Sequence, residues 1–208
     1  MEMSYSRKYC PPELVNVKDV TGMGEYNRDY DVLYPIAAEL APNKTWAEFG
    51  VGCGHNTTKM LRRLLAKDGT LHLFDSWEGI PEPWEMGEGH TVRAGTWKYP
   101  SSVGISLKEI DNRLVITDGL FEKTLPYHFP EQLGLVHIDC DLYSSTRDIL
   151  FGAKDHIGSG TVLIFDELIG YQYYEDHEYK ALMEWLEQTS NKIEWHAKER
   201  FAAVGVIL

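Results

Sequence analysis

The chain is poor in cysteine, in basic residues and in long apolar runs, and each shortage excludes a class of protein. Its 208 residues include three cysteines, Cys10, Cys53 and Cys140, which give no disulfide framework and no metal-finger spacing. Only 20 lysines and arginines oppose 32 acidic residues, and the net charge of −12 argues against a nucleic-acid partner. No apolar run approaches the length of a membrane span, and no secretory signal is visible. These shortages predict a cytoplasmic protein with no nucleic-acid or membrane partner.

Three familiar motifs are also missing. The Walker pattern Gly-Lys-Ser/Thr does not occur, and neither does the G-x-S-x-G elbow of an α/β-hydrolase. The dinucleotide spacing G-x-G-x-x-G that would begin at Gly50 has His55 where the third glycine is required. A nucleoside-triphosphate loop, a serine hydrolase and a nicotinamide dehydrogenase are therefore all disfavoured.

What the chain does contain is a regular alternation of strand and helix patterns. This alternation predicts an α/β fold with a doubly wound, mainly parallel sheet of seven strands and an antiparallel C-terminal strand. We treat residues 1–208 as a single domain, with residues 1–30 as an N-terminal arm or lid. In such a sheet the ligand binds beyond the carboxyl ends of the strands. The predicted strands are Thr45–Gly50, Thr70–Asp75, Arg113–Thr117, Leu133–Asp139, Gly160–Asp166, Lys192–His196 and Phe201–Leu208.

A glycine-rich turn follows the first of these strands and predicts a ligand that touches bare backbone. Gly50, Gly52 and Gly54 separate the strand from a helix pattern. Glu48, two residues before the first glycine, disfavours a phosphate and favours a positively charged ligand. S-adenosylmethionine carries an ammonium and a sulfonium, and we expect Glu48 to face the ammonium directly or through water. A tight turn without a ligand is the alternative.

Two further carboxylates at strand ends suit the nucleoside part of such a ligand. Asp75 ends the next strand, where a carboxylate accepts hydrogen bonds from both hydroxyls of a ribose. Because NAD and S-adenosylmethionine share this ribose, Asp75 does not distinguish them. Asp118 and Gly119 follow the third strand, and Asp118 is predicted to accept from the exocyclic amine of adenine. The alternatives are a cap or loop turn at Asp75 and a plain Asp-Gly turn at Asp118.

Four acidic residues mark the ends of the fourth and fifth strands. Asp139 and Asp141 leave one strand on the same side, and Asp166 and Glu167 end its expected neighbour. Like charges are costly to bring together unless a cation neutralises them. Oxygen ligands suit Mg²⁺ or Ca²⁺ rather than zinc, so a metal site is predicted here. Surface acids at strand ends, and a helix cap by Asp141, are the alternatives.

One histidine and one long segment complete the candidates. His137 lies inside a predicted strand and is interpreted as a packed core histidine. Residues 76–100 lack periodicity and are rich in glycine, proline, glutamate and tryptophan. Because Trp77, Trp84 and Trp97 argue against disorder, we predict a loop that covers the substrate, and a plain surface insertion is the alternative.

Taken together, these segments resemble the S-adenosylmethionine-dependent O-methyltransferases of the macrocin O-methyltransferase type. The resemblance spans most of residues 46–167 in the family's order, and residues 21–28 are weakly similar to the family's N-terminal lid. The matching segments are Glu48-Phe49-Gly50-Val51-Gly52, Phe74-Asp75-Ser76-Trp77-Glu78-Gly79-Ile80-Pro81, Gly119-Leu120-Phe121-Glu122-Lys123-Thr124-Leu125-Pro126, Asp139-Cys140-Asp141-Leu142-Tyr143-Ser144-Ser145-Thr146 and Phe165-Asp166-Glu167.

This resemblance implies a Rossmann-like methyltransferase fold and Mg²⁺-dependent methyl transfer to a hydroxyl of a sugar or glycosylated small molecule. It adds Ser76 to the expected cofactor contacts and implies Asp139, Asp166 and Glu167 as metal ligands. The family has Asp-Asp where this chain has Asp166-Glu167, so the last ligand is longer by one methylene. Asp139 is also predicted to act as the general base.

Other functions fit parts of the same pattern. A catechol-like diol would chelate the metal in the way that a sugar diol does. A non-catalytic cofactor-binding domain is the alternative from a different class, although such a domain has no need of the acid cluster. The oligomeric state is open, and a homo-oligomer is one option.

Overall fold

The computed structural model describes residues 8–23, 30–65 and 68–208, which form one large sheet flanked by helices. The helices are α1 (Tyr30–Leu40), α2 (His55–Leu65), α3 (Ser102–Ile110), α4 (Phe121–Thr124), α5 (Tyr143–Gly152) and α6 (Glu178–Thr189). The strands are β1 (Lys18–Asp19), β2 (Thr45–Phe49), β3 (Thr70–Asp75), β4 (Trp84–Gly87), β5 (His90–Val92), β6 (Leu114–Asp118), β7 (Leu135–Ile138), β8 (Val162–Phe165), β9 (Ile193–Lys198) and β10 (Ala203–Ile207).

The large sheet has the strand order β1-β9-β10-β8-β7-β2-β3-β6. Strands β8, β7, β2, β3 and β6 run parallel to one another, and β10 is antiparallel to both β8 and β9. The predicted mainly parallel α/β fold with an antiparallel C-terminal strand is therefore confirmed. An eighth strand, β1, extends the sheet by pairing with β9, within the region predicted as an irregular arm. Two residues are too few to give a strand pattern in the sequence. Residues 1–7 and 24–29 of that arm lie outside the described part of the chain.

Side chains from both faces of the sheet are buried, as expected for strands covered by helices on each side. In β2, Ala47 and Phe49 join the core on one face, and Trp46 joins the core on the other. Glu48 shares the face of Trp46, because alternate residues of a strand point the same way. This acid therefore lies in a layer that helices cover.

The segment after β3 is more ordered than its sequence suggests. β4 and β5 form an antiparallel hairpin, and Trp84 is buried against Tyr171 with 5.4 Å between ring centroids. The ring nitrogen Nε2 of His177 lies 2.9 Å from the backbone oxygen of Glu85. The hairpin is thus anchored to the segment that leads into α6. Among the described residues, no helix is both long enough and apolar enough to cross a membrane.

Candidate active site

The carboxyl ends of β2, β3, β6, β7 and β8 open into one cavity of about 540 Å³. Ligand pockets usually measure roughly 300–1,000 Å³, so the cavity has room for a small molecule. Its wall includes the turn residues Gly50 and Gly52 and the acids Asp139 and Asp166. The two groups of residues singled out by sequence therefore share one cavity.

Gly50 joins these two groups through the backbone. Its φ is +89°, and a Cβ at this position would lie 1.7 Å from the carbonyl oxygen of Asp139. The amide of Asp139 in turn donates to the carbonyl of Phe49 at 2.9 Å. Glycine is required at position 50 because the end of β7 passes directly against the turn.

Asp75 organises the turn from the neighbouring strand. Its Oδ2 accepts hydrogen bonds from the amides of Val51 and Gly52, at 2.7 and 2.8 Å, and its Oδ1 accepts from the amide of Trp77 at 2.6 Å. The turn amides that a phosphate would need therefore already donate to a carboxylate. This arrangement supports the interpretation that the turn does not bind an anion. Asp75 itself lines the cavity, as does Ser76 beside it.

Glu48 does not face the cavity, which corrects the expectation of a direct contact with a ligand. Its side chain is fully buried beneath the turn, where it accepts a hydrogen bond from Thr57 of α2. Its Oε1 lies 3.4 Å from Nδ1 of His137 on the paired strand β7. Burial raises the pKa of Glu48, and the hydrogen bond with His137 opposes that rise. Glu48 is a buried support of the turn in this structure.

Two other predicted cofactor residues also stand away from the wall. Gly54 has a φ of +78°, and a Cβ there would meet the side chain of Leu107 on α3 at 3.0 Å. This glycine therefore serves the packing of α3. Asp118 is exposed at the end of β6, while its neighbour Gly119 lines the cavity. The structure brings Gly50, Gly52, Asp75, Ser76 and Gly119 together and leaves Glu48, Gly54 and Asp118 behind or beside them.

Side chains from β7 and β8 converge on the same cavity. One potential ligand atom each from His137, Asp139 and Asp166 lies within 4.8 Å of the others. Asp139 also accepts a hydrogen bond from Nδ2 of Asn56 at 3.0 Å. Asp166 is 7% exposed, and its Oδ1 has no hydrogen-bond partner in the described part of the chain. The predicted meeting of Asp139 and Asp166 is therefore present.

Glu167 lies beside this group rather than inside it. Its side chain lines the cavity, and its Oε2 has no hydrogen-bond partner among the described residues. Burial raises the pKa of Glu167 well above its ordinary value, and Asp166 and Asp141 raise it further. The side chain has the chemistry of a metal ligand without sharing the compact cluster.

His137 is buried as predicted, but it has charged neighbours on two sides. Its Nδ1 faces Glu48 and its Nε2 lies 3.8 Å from Oδ1 of Asp166, with the hydroxyl of Tyr34 at 3.3 Å. Burial opposes the charged form, yet the neighbouring carboxylates of Asp166 and Glu48 prevail and raise the pKa of His137 to about 10. The imidazolium of His137 therefore lies between Glu48, which supports the glycine turn, and Asp166 of the acid cluster.

Glu178 is a part of the site that sequence reasoning missed. It is the first residue of α6 and is fully buried. Its carboxylate accepts from the amide of Asp141 at 3.2 Å and from the amide of Glu167 at 3.3 Å. It thereby holds the loops after β7 and β8 side by side. The sequence offered no signal for this role beyond an acid at a helix start.

The acid cluster is short of positive charge. Burial raises the pKa of Asp139 well above its ordinary value, and Asp166 raises it further. Burial and Asp166 raise the pKa of Asp141 to about 7. Because buried carboxylates resist ionisation together, the cluster is a place where an added cation would be stabilising.

Comparison with known proteins identifies the family. A protein family described as a methyltransferase domain matches residues 47–168, more than half of the chain. The chain belongs to this family. A curated relative, the demethyldecarbamoylnovobiocin O-methyltransferase of Streptomyces niveus, is 27% identical over 118 residues, covering 52% of this chain and 45% of the relative. The chain thus spans less than half the length of that curated relative in the match.

Solved structures agree with the methyltransferase fold. The calicheamicin methyltransferase CalS11 has a TM-score of 0.72 at 18% identity, over 88% of this chain and 80% of that one. A second CalS11 structure, described as an apo TDP-rhamnose 3′-O-methyltransferase, has a TM-score of 0.65 at 16% identity, over 88% and 81%. The O-methyltransferase NovP has a TM-score of 0.66 at 21% identity, over 85% and 78%. At these identities the likeness concerns the fold alone.

Proposed function

We propose that this chain is an S-adenosylmethionine-dependent, Mg²⁺-dependent O-methyltransferase that acts on a hydroxyl of a sugar or glycosylated small molecule. The observation that carries the proposal is the contact at Gly50, which sets a glycine turn and an acid cluster against each other in one cavity. A methyl donor and an activated acceptor have to meet in this way. Membership of a methyltransferase family and the names of the relatives support the same reaction.

The cofactor end of the cavity suits S-adenosylmethionine. Asp75 and Ser76 lie beside the turn, where a ribose diol would be recognised, and Gly119 offers its backbone nearby. Asp118 stands at the adjoining rim, in reach of the expected adenine edge only if its side chain turns inward. Glu48 lies buried beneath the glycine turn and supports it by accepting a hydrogen bond from Thr57. A sulfonium cofactor would also be favoured by the negative charge of the wall.

The acceptor end suits Mg²⁺. Asp139 and Asp166 would hold the ion, with Glu167 beside them, because hard oxygen donors are its preferred ligands. The unpartnered oxygens of Asp166 and Glu167 support this assignment. His137 has both ring nitrogens turned towards acceptor groups, which suits a protonated ring that neutralises Glu48 and Asp166 rather than a ligand.

The chain's own residues then perform three tasks. When bound, S-adenosylmethionine supplies the methyl group, and Mg²⁺ lowers the pKa of an acceptor hydroxyl. Asp139 accepts the hydroxyl proton at its carboxylate, while Asn56 holds its Oδ2 in place. Gly50 keeps the turn and Asp139 in a fixed relation, which favours a productive alignment. Trp97 and Tyr99, which line the cavity, offer aromatic rings against which the acceptor can pack.

Methyl transfer itself is the test of this proposal. The purified chain is incubated with S-adenosylmethionine and panels of hexose glycosides and catechols, with and without a chelator, and S-adenosylhomocysteine is measured. We expect turnover of a glycoside that the chelator abolishes. Turnover confined to catechols would favour the diol alternative, and cofactor binding without any turnover would favour a non-catalytic domain.

The variant Asp139→Asn separates proton transfer from cofactor binding. We expect it to lose most of the activity, since general-base removal typically costs roughly 10²–10⁴-fold. The affinity for S-adenosylhomocysteine, measured by calorimetry, should stay close to that of the unmodified chain. Near-normal turnover by this variant would refute the base role.

A further inference from the structure

The charged side chains of the cavity wall are almost all of one sign. Eight carboxylates line the cavity, and among its described lining residues there is no lysine and no arginine. The eight are Asp75, Glu82, Glu122, Asp139, Asp141, Asp148, Asp166 and Glu167. The eight carboxylates outnumber the three positive charges that a divalent cation and a cofactor of net charge +1 would bring, even when the imidazolium of His137 beside Asp166 is counted as well.

Four of these acids stand outside the proposed cofactor and metal contacts, namely Asp141 and the three acids Glu82, Glu122 and Asp148. Glu82 accepts a hydrogen bond from the hydroxyl of Ser144 at 2.5 Å, so the loop after β3 reaches across to α5. Asp148 is half-buried on the same helix, and Glu122 approaches it from α4. Burial raises the pKa of Asp148, Glu122 raises it further, and Arg147 opposes the rise.

No described basic side chain in the wall compensates for these acids. The guanidinium of Arg147 lies over the ring of Phe151 and is not part of the lining. The remaining lining includes the aromatic rings of Trp97 and Tyr99, which suit the apolar face of a sugar or aromatic ring. Oδ1 of Asp166 accepts no hydrogen bond from the described residues, and Nε2 of His137 lies 3.8 Å from it, so a ligand in the cavity could still bind this oxygen.

From this wall we infer that the methyl acceptor is a neutral or positively charged hydroxylated molecule, and that acceptors with a phosphate, diphosphate or carboxylate near the reacting hydroxyl are rejected. The inference rests on the proposed function and specifies its substrate class. A nucleoside-diphosphate sugar, such as the TDP-rhamnose named for CalS11, would bring two negative charges into this wall. A neutral sugar acceptor would then be methylated after glycosyl transfer, when the diphosphate has been lost. A positively charged acceptor would be an amino sugar.

A matched series of catechols isolates the charge of the acceptor. Dopamine, hydroxytyrosol and 3,4-dihydroxyphenylacetate share a chelating diol and differ in a tail that is cationic, neutral or anionic. Their binding is measured by calorimetry to the full chain saturated with S-adenosylhomocysteine and Mg²⁺. We expect dopamine to bind at least about tenfold more tightly than the anionic acid, since like charges brought together are costly. Methyl α-L-rhamnopyranoside and TDP-rhamnose extend the comparison to sugars, and the glycoside should bind more tightly.

Charge variants assign the effect to the wall. Glu82→Gln and Asp148→Asn should each reduce several-fold the ratio between the affinities for dopamine and for 3,4-dihydroxyphenylacetate, which we call the gap. Both variants should leave the affinity for S-adenosylhomocysteine unchanged. Glu109→Gln and Asp155→Asn remove the same charges from exposed positions outside the lining and should leave the gap intact. Raised salt should also narrow the gap, because part of the wall lies at an exposed rim.

The outcomes separate this inference from the proposed function. Equal or tighter binding of the anionic catechol or of TDP-rhamnose would overturn the inference and leave the methyltransferase proposal standing. A gap that survives both wall variants would also overturn it. If S-adenosylhomocysteine binds but no member of either series does, the acceptor site of the proposed function fails together with the inference.

Discussion

Replacing Gly50 by alanine tests whether the turn and the acid cluster are held together by close backbone contact. The added methyl group would meet the carbonyl oxygen of Asp139 at 1.7 Å, so β2 and β7 would have to separate or the turn deform. Two costs add here. A left-handed conformation costs an alanine roughly 1–2 kcal/mol, and forced overpacking costs typically about 1–3 kcal/mol more.

Gly89→Ala is the matched control for the first of these costs. Gly89 has a φ of +79°, close to the +89° of Gly50, and a Cβ there would meet nothing within 4 Å. Urea unfolding of the two variants therefore isolates the steric contribution, which we expect to be about 1–3 kcal/mol in favour of Gly89→Ala. Thermal unfolding should show a difference of roughly 2–4 °C for each kcal/mol. The Gly50 variant should also bind both S-adenosylhomocysteine and Mg²⁺ more weakly, since the turn and Asp139 move together.

Equal destabilisation of the two variants would refute this reasoning. It would mean that the turn relaxes away from Asp139 at little cost. Loss of S-adenosylhomocysteine binding with unchanged Mg²⁺ affinity would refute the coupling of the two ends, even if the stability difference were as expected.

Three further predictions follow from the site. Asp75→Asn should weaken S-adenosylhomocysteine binding at least roughly tenfold in calorimetry, because charge-assisted bonds to the turn are worth about 1.5–3 kcal/mol, whereas the exposed Glu78→Gln should not. Glu178→Ala leaves the amides of Asp141 and Glu167 without their acceptor, at a cost of roughly 1–3 kcal/mol each. The variant should have a lower thermal midpoint and a lower Mg²⁺ affinity. An unchanged Mg²⁺ affinity would contradict the idea that Glu178 holds the two loops in place. Burial and Asp166 raise the pKa of Asp141 from 3.8 to about 7 in the folded chain. Without divalent cation, the free energy of unfolding should therefore fall as the pH rises through that range. Mg²⁺ should weaken this pH dependence, which urea unfolding at several pH values measures.

Sequence patterns predicted the sheet and the two ends of the cavity because these depend on local rules. Strands and helices alternate visibly, and residues that end parallel strands meet at one edge. Asp75, Asp139 and Asp166 could be located in this way without knowledge of any contact. What the pattern did not reveal was that both faces of β2 would be buried at Glu48. Glu48 alternates with buried residues on both sides, and only packed helices turn it into a support of the turn.

The missed features are non-local or weakly patterned. Helix α3 contains Gly104 and β-branched residues, which lower helix propensity. That glycine is needed because a Cβ would lie 3.0 Å from the ring of Trp77. Glu178 serves two loops that are distant in the chain, and no local spacing encodes such a contact. The hairpin of β4 and β5 is held by Tyr171 and His177, from a segment far along the chain.

The anchoring of that hairpin has a consequence for protein engineering. A designer who wished to change the acceptor would exchange residues 76–100, because both ends of this segment contribute to the cavity wall. The hairpin within this segment contacts Tyr171 and His177. His177 immediately precedes Glu178, whose carboxylate accepts hydrogen bonds from the loops after β7 and β8. Replacing residues 76–100 alone with the segment of a relative would disturb these contacts and, through them, the position of Glu178. Residues 76–100 and 171–178 should therefore be exchanged together.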